Sequence, residues 1–188
     1  TIEDLDAIRA ASLNAKTGVV IGGGLLGLEA AKALRDLNLE THVVEFAPRL
    51  MAVQIDDLGG KVLRAKIENL GVKVHTQKAT QCIEAGSNTT HVMKFGDGSE
   101  LETDIVLFSA GIRPRDELAR QSGLAIGERG GIVINDYCQT SNTDIYAIGE
   151  CALWQNKIYG LVAPGYDMAR IAAKHVMDQS CNEFVGAD

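Results

Sequence analysis

Gly22, Gly24 and Gly27 are spaced G-x-G-x-x-G between an apolar run and an alanine-rich helical pattern, and Glu45 closes the next apolar run. These residue types at this spacing suit the holding of a diphosphate on backbone amides while a carboxylate takes the adjoining sugar. Gly22 permits a tight turn, Gly24 lets the backbone approach a pyrophosphate, and Gly27 allows a helix to lie close to a strand. The helix starting near Leu25 points unpaired N–H groups of the Gly23–Gly24–Leu25–Leu26 stretch at phosphate oxygens. The six-residue pattern alone recurs widely. Strand, glycines, helix and downstream acid in this order specify a dinucleotide site.

Glu45 chooses between dinucleotides. Its carboxylate accepts hydrogen bonds from both hydroxyls of an adenine ribose and repels a 2′-phosphate, and no Arg or Lys directly follows it. Charge-assisted hydrogen bonds of about 1.5–3 kcal/mol imply a preference for NADH over NADPH on the order of ten- to hundredfold. Arg49 is near enough in sequence to soften that preference. The plainer alternative makes Glu45 a solvated charge at a strand end.

The positioning elements follow from periodicity. Residues 17–21 (TGVVI) and 41–46 (THVVEF) read as buried strands, and residues 25–37 as the helix between them. Residues 55–70 show helical spacing, with Gly71 punctuating the end, and residues 72–75 form a third strand. Thr1 to Asn14 reads as an amphipathic helix with Ile2, Leu5 and Ile8 on one face and Thr1 as its cap. This β-α-β-α-β order implies a parallel sheet with right-handed crossovers. Residues 79–85, 89–95 and 100–103 then alternate like an antiparallel meander, with turns at 86–88 and 97–98. The strand 105–109 returns to the parallel sheet and leads to Gly111, beyond the carboxyl ends of the strands, where its backbone can pass close to a dinucleotide. The expected fold class is α/β: a Rossmann-like domain over 1–112, then a second, partial unit over 113–188. That unit contains a helix at 117–122, strands at 132–135 and 145–148, an extended stretch at 154–161, and a helix opened by Ala163-Pro164-Gly165. Residues 180–188 read as a frayed end.

Composition narrows the partners. A net charge of −7 over 188 residues argues against nucleic acid and anionic membranes. No apolar run approaches the ~20 residues needed to span a bilayer, and no signal peptide is visible, so a cytoplasmic location is expected. The four cysteines form no CxxC pair and read as reduced thiols. The four histidines are scattered, and no metal site is expected. His175 reads as a packing residue at the edge of an apolar stripe, and so does Trp154.

The fingerprint, the meander, SAGIRP (Ser109 to Pro114) and DIYAIGE (Asp144 to Glu150) together resemble the pyridine-nucleotide-dependent flavoprotein reductases over nearly the whole chain. Within that family, Gly149 to Tyr166 and Val133 to Ser141 are most similar to the assimilatory NADH-dependent nitrite reductases. The resemblance implies an NAD domain inserted into a split FAD domain, of which this chain matches the insert and the second FAD half. By resemblance, Gly22, Gly24, Gly27 and Glu45 hold NADH, Leu25 gates the nicotinamide pocket, and Glu29 lies near nicotinamide and flavin as the catalytic candidate. Gly111 approaches the dinucleotide. Gly149 and Glu150 meet the flavin ribityl chain, where Asp is commoner than Glu. The helix start at Ala163 faces the flavin carbonyl with its positive end.

Only one glycine fingerprint is present, so the fragment is expected to hold NADH, to lack about half of the flavin contacts, and to be inactive alone. In the intact enzyme the resemblance implies hydride transfer from NADH to FAD and electrons passed to iron–sulfur and sirohaem sites in downstream domains of the same polypeptide, with a small subunit as a further partner. The reaction would be reduction of nitrite to ammonia. Two other readings stay open: a reductase for rubredoxin or ferredoxin, and a non-catalytic NAD-binding or redox-sensing module.

Overall fold

Val19, Val20 and Val43 are wholly excluded from solvent, because β1 (Thr17–Ile21) and β2 (Glu40–Val44) lie inside a sheet covered on both faces. Such strands carry unbroken β-branched runs. The computed structural model describes residues 1–187. It divides them into two compact units, Thr1–Gly111 and a second from Ile112 onward.

The first unit begins with α1 (Ile2–Ser12), capped by Thr1 in a reciprocal capping box with Asp4. After β1 come α2 (Leu25–Asp36), β2, α3 (Asp57–Asn69) and β3 (Val72–His75). Asp56 caps α3 by accepting the Gly59 amide at 2.8 Å. The meander is β4 (Thr80–Ala85), β5 (His91–Phe95) and β6 (Glu100–Thr103), and β7 (Ile105–Phe108) closes the sheet. The parallel sheet has the order β3-β2-β1-β7, and the meander forms its own antiparallel sheet, β4-β5-β6. The α/β class and this topology agree with the expectation from sequence.

Strand alternation divides the core. Val20, Val43, Val72, Val74 and Ile105 pack with Ala31, Leu34, Leu39 and Leu50. On the other face Val19 and Val44 pack with Met93 and Phe95 of the meander. Asp104 is the single residue between β6 and β7. Its carboxylate accepts the amides of Lys16 (2.8 Å), Thr17 (3.1 Å) and Thr90 (3.4 Å), and the first two hold it below its ordinary carboxylate pKa.

The second unit contains α4 (Glu117–Gln121), β8 (Ile132–Ile134), a 3-10 turn at Gly149–Cys151, β9 (Ala152–Trp154) and α5 (Val162–Val176). β8 and β9 pair in parallel over a core of Cys138, Met168, Ala172, Trp154 and Phe184.

Four expectations are corrected. The strand anticipated at 145–148 is absent: Tyr146 makes one isolated bridge to Gln139, and Ile145 and Ile148 stay exposed, because no strand lies alongside to complete a ladder. Of the extended stretch at 154–161 only Trp154 is in a strand, since the chain turns back at Gln155 and Asn156, both in the left-handed region. The tail is not frayed throughout: Phe184 is 3% exposed, edge-on to Trp154 and Tyr159, and its amide donates to Asp136 O at 2.7 Å. Asp188 of that segment lies outside the described residues. Lastly, Ile2 and Leu5 of α1 remain exposed, so the apolar face read there is not buried.

Candidate dinucleotide-binding site

At the carboxyl end of β1 the three fingerprint glycines stand in three different surroundings. Gly22 has φ +117°, and a side chain on it would strike the Ser109 carbonyl where β7 leaves the sheet. Gly27 is buried in the first turn of α2, and a Cβ there would overlap the Gly22 carbonyl oxygen. Gly24 is the N-cap of α2, and a Cβ on it would meet nothing within 4 Å. The tip of the turn is therefore open. α2 begins with no side-chain cap and no acid in its first turn, and Leu25 and Leu26 above it are 48% and 64% exposed. Uncapped first-turn amides at an open tip form an anion seat.

Glu45 follows β2 directly, because that strand ends at Val44 rather than at Phe46. Its Oε2 accepts the Gly23 amide at 2.5 Å and its Oε1 accepts the Ala47 amide at 2.6 Å. A Cβ built on Gly23 would lie 3.0 Å from Oε2, so the acid packs directly against the glycine turn. Each carboxylate oxygen has two acceptor positions. One on each is occupied by backbone, and one on each remains for a vicinal diol. Arg49 is committed elsewhere: Nε donates to Ile55 O (3.0 Å), one terminal nitrogen to Asp57 (2.8 Å) and the other to Ala52 O (3.0 Å). This removes the cation that the sequence suggested would soften selection against a 2′-phosphate.

The remaining candidates sort by unit. Glu29 is the fifth residue of α2 and is exposed, its side chain making no hydrogen bond among the described residues. Gly111 has φ +98° and open space around its α-carbon. In the second unit Gly149 (φ +75°) and Glu150 form the 3-10 turn, and Ala163 is the second residue of α5. The 3-10 turn packs on α5 through Gly149: its amide donates to the Met168 sulfur at 3.3 Å, and its α-carbon lies 3.6 Å from where a Cβ on Gly165 would stand. α5 also starts without a side-chain cap or a first-turn acid. An uncapped helix start of this kind suits the electron-rich edge of a flavin.

Sequence reading missed a histidine pair. His42 Nδ1 and His75 Nε2 are 3.0 Å apart across β2 and β3, and their ring planes differ by 6°. The centroid separation of 5.2 Å marks rings meeting edge to edge in line rather than face to face. His42 Nε2 donates to Glu40 Oε1 at 3.2 Å, so its Nδ1 accepts from His75. Burial lowers the pKa of both imidazoles. The β2–β3 register, Val44 opposite His75, was the one signal that could have paired them. His175 is likewise more than packing, since its Nδ1 lies 2.7 Å from Tyr146 Oη.

The family described as pyridine nucleotide-disulphide oxidoreductase matches residues 1–175. This chain belongs to that family. Among its relatives, the nitrite reductase (NADH) large subunit of Escherichia coli is 59% identical over the whole chain, which covers 22% of that protein. The nitrite reductase [NAD(P)H] large subunit of Klebsiella oxytoca is 60% identical, again over the whole chain and 19% of the relative. The chain thus spans about a fifth of the length of these curated relatives. A ferredoxin reductase from Rhodopseudomonas palustris superposes on all of it with a TM-score of 0.91 at 28% identity, using 47% of that structure. Among the described residues no helix of this family member is long and apolar enough to cross a membrane, and no three His, Cys, Asp or Glu side chains gather as a metal site.

Proposed function

We propose that this chain is the NADH-holding part of an NADH-dependent flavoprotein reductase, one that passes a hydride from NADH to FAD and electrons onward to metal centres elsewhere in the polypeptide. The terminal reaction is the six-electron reduction of nitrite to ammonia. The observation carrying this reading is Glu45, fixed against the Gly23 amide with acceptor positions left for a diol, beside the uncapped start of α2. Identity near 60% to nitrite reductase large subunits supports the terminal reaction. The rival reading, a ferredoxin or rubredoxin reductase, has weaker support in the 28% identity to the ferredoxin reductase.

The protein's share is binding, orientation and electrostatics. First-turn amides of α2 hold the diphosphate of NADH, Glu45 takes the adenine ribose, and Leu25 stands at the nicotinamide entrance. Glu29, one turn along the same helix, orients the nicotinamide end. Residues from Ile112 onward serve as the second half of a split flavin domain: Gly149 and Glu150 hold the ribityl chain, and the α5 start at Ala163 stabilises negative charge at the ring edge by about 0.3–1 kcal/mol. Flavin, when bound, supplies the two-electron acceptor for the nicotinamide hydride. The upstream half of that domain and the metal-bearing domains belong to the same polypeptide, with a small subunit as a further partner, and the assembly works in the cytoplasm.

Titration of nicotinamide fluorescence with the purified chain, followed by addition of the upstream flavin half, tests this reading. Saturable NADH binding, then a yellow complex with NADH-dependent diaphorase activity, is the expected result. NADH binding with no flavin uptake by the completed protein would favour a sensing module instead.

A further inference from the structure

Arg113, Arg120 and Arg129 line one groove of the second unit, in a chain whose net charge is −7. The groove encloses about 1230 Å³ and is open to solvent. Half-buried Ile126, Leu153 and Ile158 and the more exposed Val133 give it an apolar lining. Its wall is tightly built. A Cβ would stand 2.2 Å from the Leu153 side chain if placed on Gly127 and 3.0 Å from it if placed on Gly131. Gly130 and Gly131 both have φ +93°, which lets the loop bearing Arg129 fold back. Asp116, 7% exposed, holds that loop by accepting the Gly131 amide at 2.8 Å, and its other oxygen takes Arg120 at 3.4 Å. The Arg113 and Arg129 side chains are exposed and make no hydrogen bond or ion pair among the described residues.

We propose that this groove docks an acidic segment of a partner protein, one with aliphatic side chains between its carboxylates. A pocket that closes round a small molecule typically holds roughly 300–1,000 Å³ and buries most of its ligand. This groove is larger and open, so it suits a length of chain. Guanidinium forks take carboxylates bidentately, and arginine clusters are a recurrent reader of acidic motifs. Asp116 is committed to Gly131 and Arg120, so it neutralises neither Arg113 nor Arg129. Burial of the apolar lining under aliphatic side chains adds to the attraction of the charges. The site is independent of the dinucleotide reading, since every residue named lies beyond Gly111.

The experiment titrates the full chain into a fluorescein-labelled peptide of Glu and Leu, with Lys–Leu and Glu–Ser peptides as controls, and reads anisotropy. Saturable binding of the Glu–Leu peptide that weakens with added salt is expected, with both controls far weaker. The double variant Arg113→Ala, Arg129→Ala should weaken it about tenfold, and so should Val133→Asp, while NADH titrations of both variants stay at the wild-type value. Absence of Glu–Leu binding, equal binding of either control, or unchanged affinity in the variants overturns the proposal. Displacement of the peptide by inorganic triphosphate at constant ionic strength also overturns it, in favour of a small-anion site. So does loss of peptide binding once the upstream flavin half is restored, which would make the groove an internal joint of the polypeptide.

Discussion

The amide of Gly23 and the carboxylate of Glu45 are joined by a 2.5 Å hydrogen bond that ties the fingerprint turn to the end of β2. The acid therefore shapes the turn, and in the proposed function the same carboxylate receives the sugar. A preorganised receptor loses less ordering entropy on binding. Glu45→Gln should weaken NADH by on the order of ten- to hundredfold and narrow the gap to NADPH, because the charge that repels a 2′-phosphate is gone. Fluorescence titrations of wild type and variant with both coenzymes check this. Equal wild-type affinity for NADH and NADPH would remove Glu45 from the role.

Gly27→Ala tests the packing of the fingerprint helix. The added methyl meets the Gly22 carbonyl, which is backbone and cannot rotate away. Overpacking of this kind costs about 1–3 kcal/mol. A lowered urea midpoint with unchanged slope is expected. Gly24→Ala, whose methyl enters open space, should leave the midpoint nearly unmoved and weaken the coenzyme.

The His42–His75 pair predicts a pH dependence. Burial lowers both proton affinities from the ordinary 6.5, so below that pH the unfolded chain takes up protons that the folded chain refuses. Stability should be full above about pH 6.5 and fall as pH drops through the lowered folded values. Glu40, depressed chiefly by its bond with Lys73, and the nearby Lys78 and Arg64 face the same pair. Chemical denaturation at pH 7.5 and 5.5 reads the slope. His75→Gln should flatten it.

Two of the four thiols stand at opposite extremes of exposure. Cys138 is wholly buried, and burial pushes its pKa up to about 11, whereas Cys82 is exposed on the meander. Iodoacetamide at neutral pH should modify Cys82 and spare Cys138 until denaturant is added. Peptide mass mapping identifies the sites. Native alkylation of Cys138 would contradict the core packing around Met168.

The parts of this fold read from sequence are those that local chemistry dictates. The β-branched runs at Thr17–Ile21 and Val72–His75, the glycine spacing and the turns of the meander each act within a few residues. The strand expected at Ile145–Ile148 failed because alternation reports a residue's tolerance for a ladder and says nothing of a partner strand. His42 and His75 are 33 residues apart in sequence, and only strand register joins them. Phe46 reads from sequence as the last residue of the strand, whereas β2 stops at Val44 and leaves the ring exposed. The site residues of the second unit rested on family resemblance, since nothing in periodicity singles out Gly149 or Ala163.

Asp104 has one more consequence. Because it alone separates Thr103 from Ile105, the chain passes from the meander to the parallel sheet with no slack. One residue inserted beside it would invert β7, directing Ile105 and Leu107 to the layer where Val106 now packs. The same insertion at the tip between Ala85 and His91 would only lengthen a surface loop. The excursion is thus a detachable ornament at its far end and an indivisible joint at its root, and melting temperatures of the two insertion variants should separate accordingly.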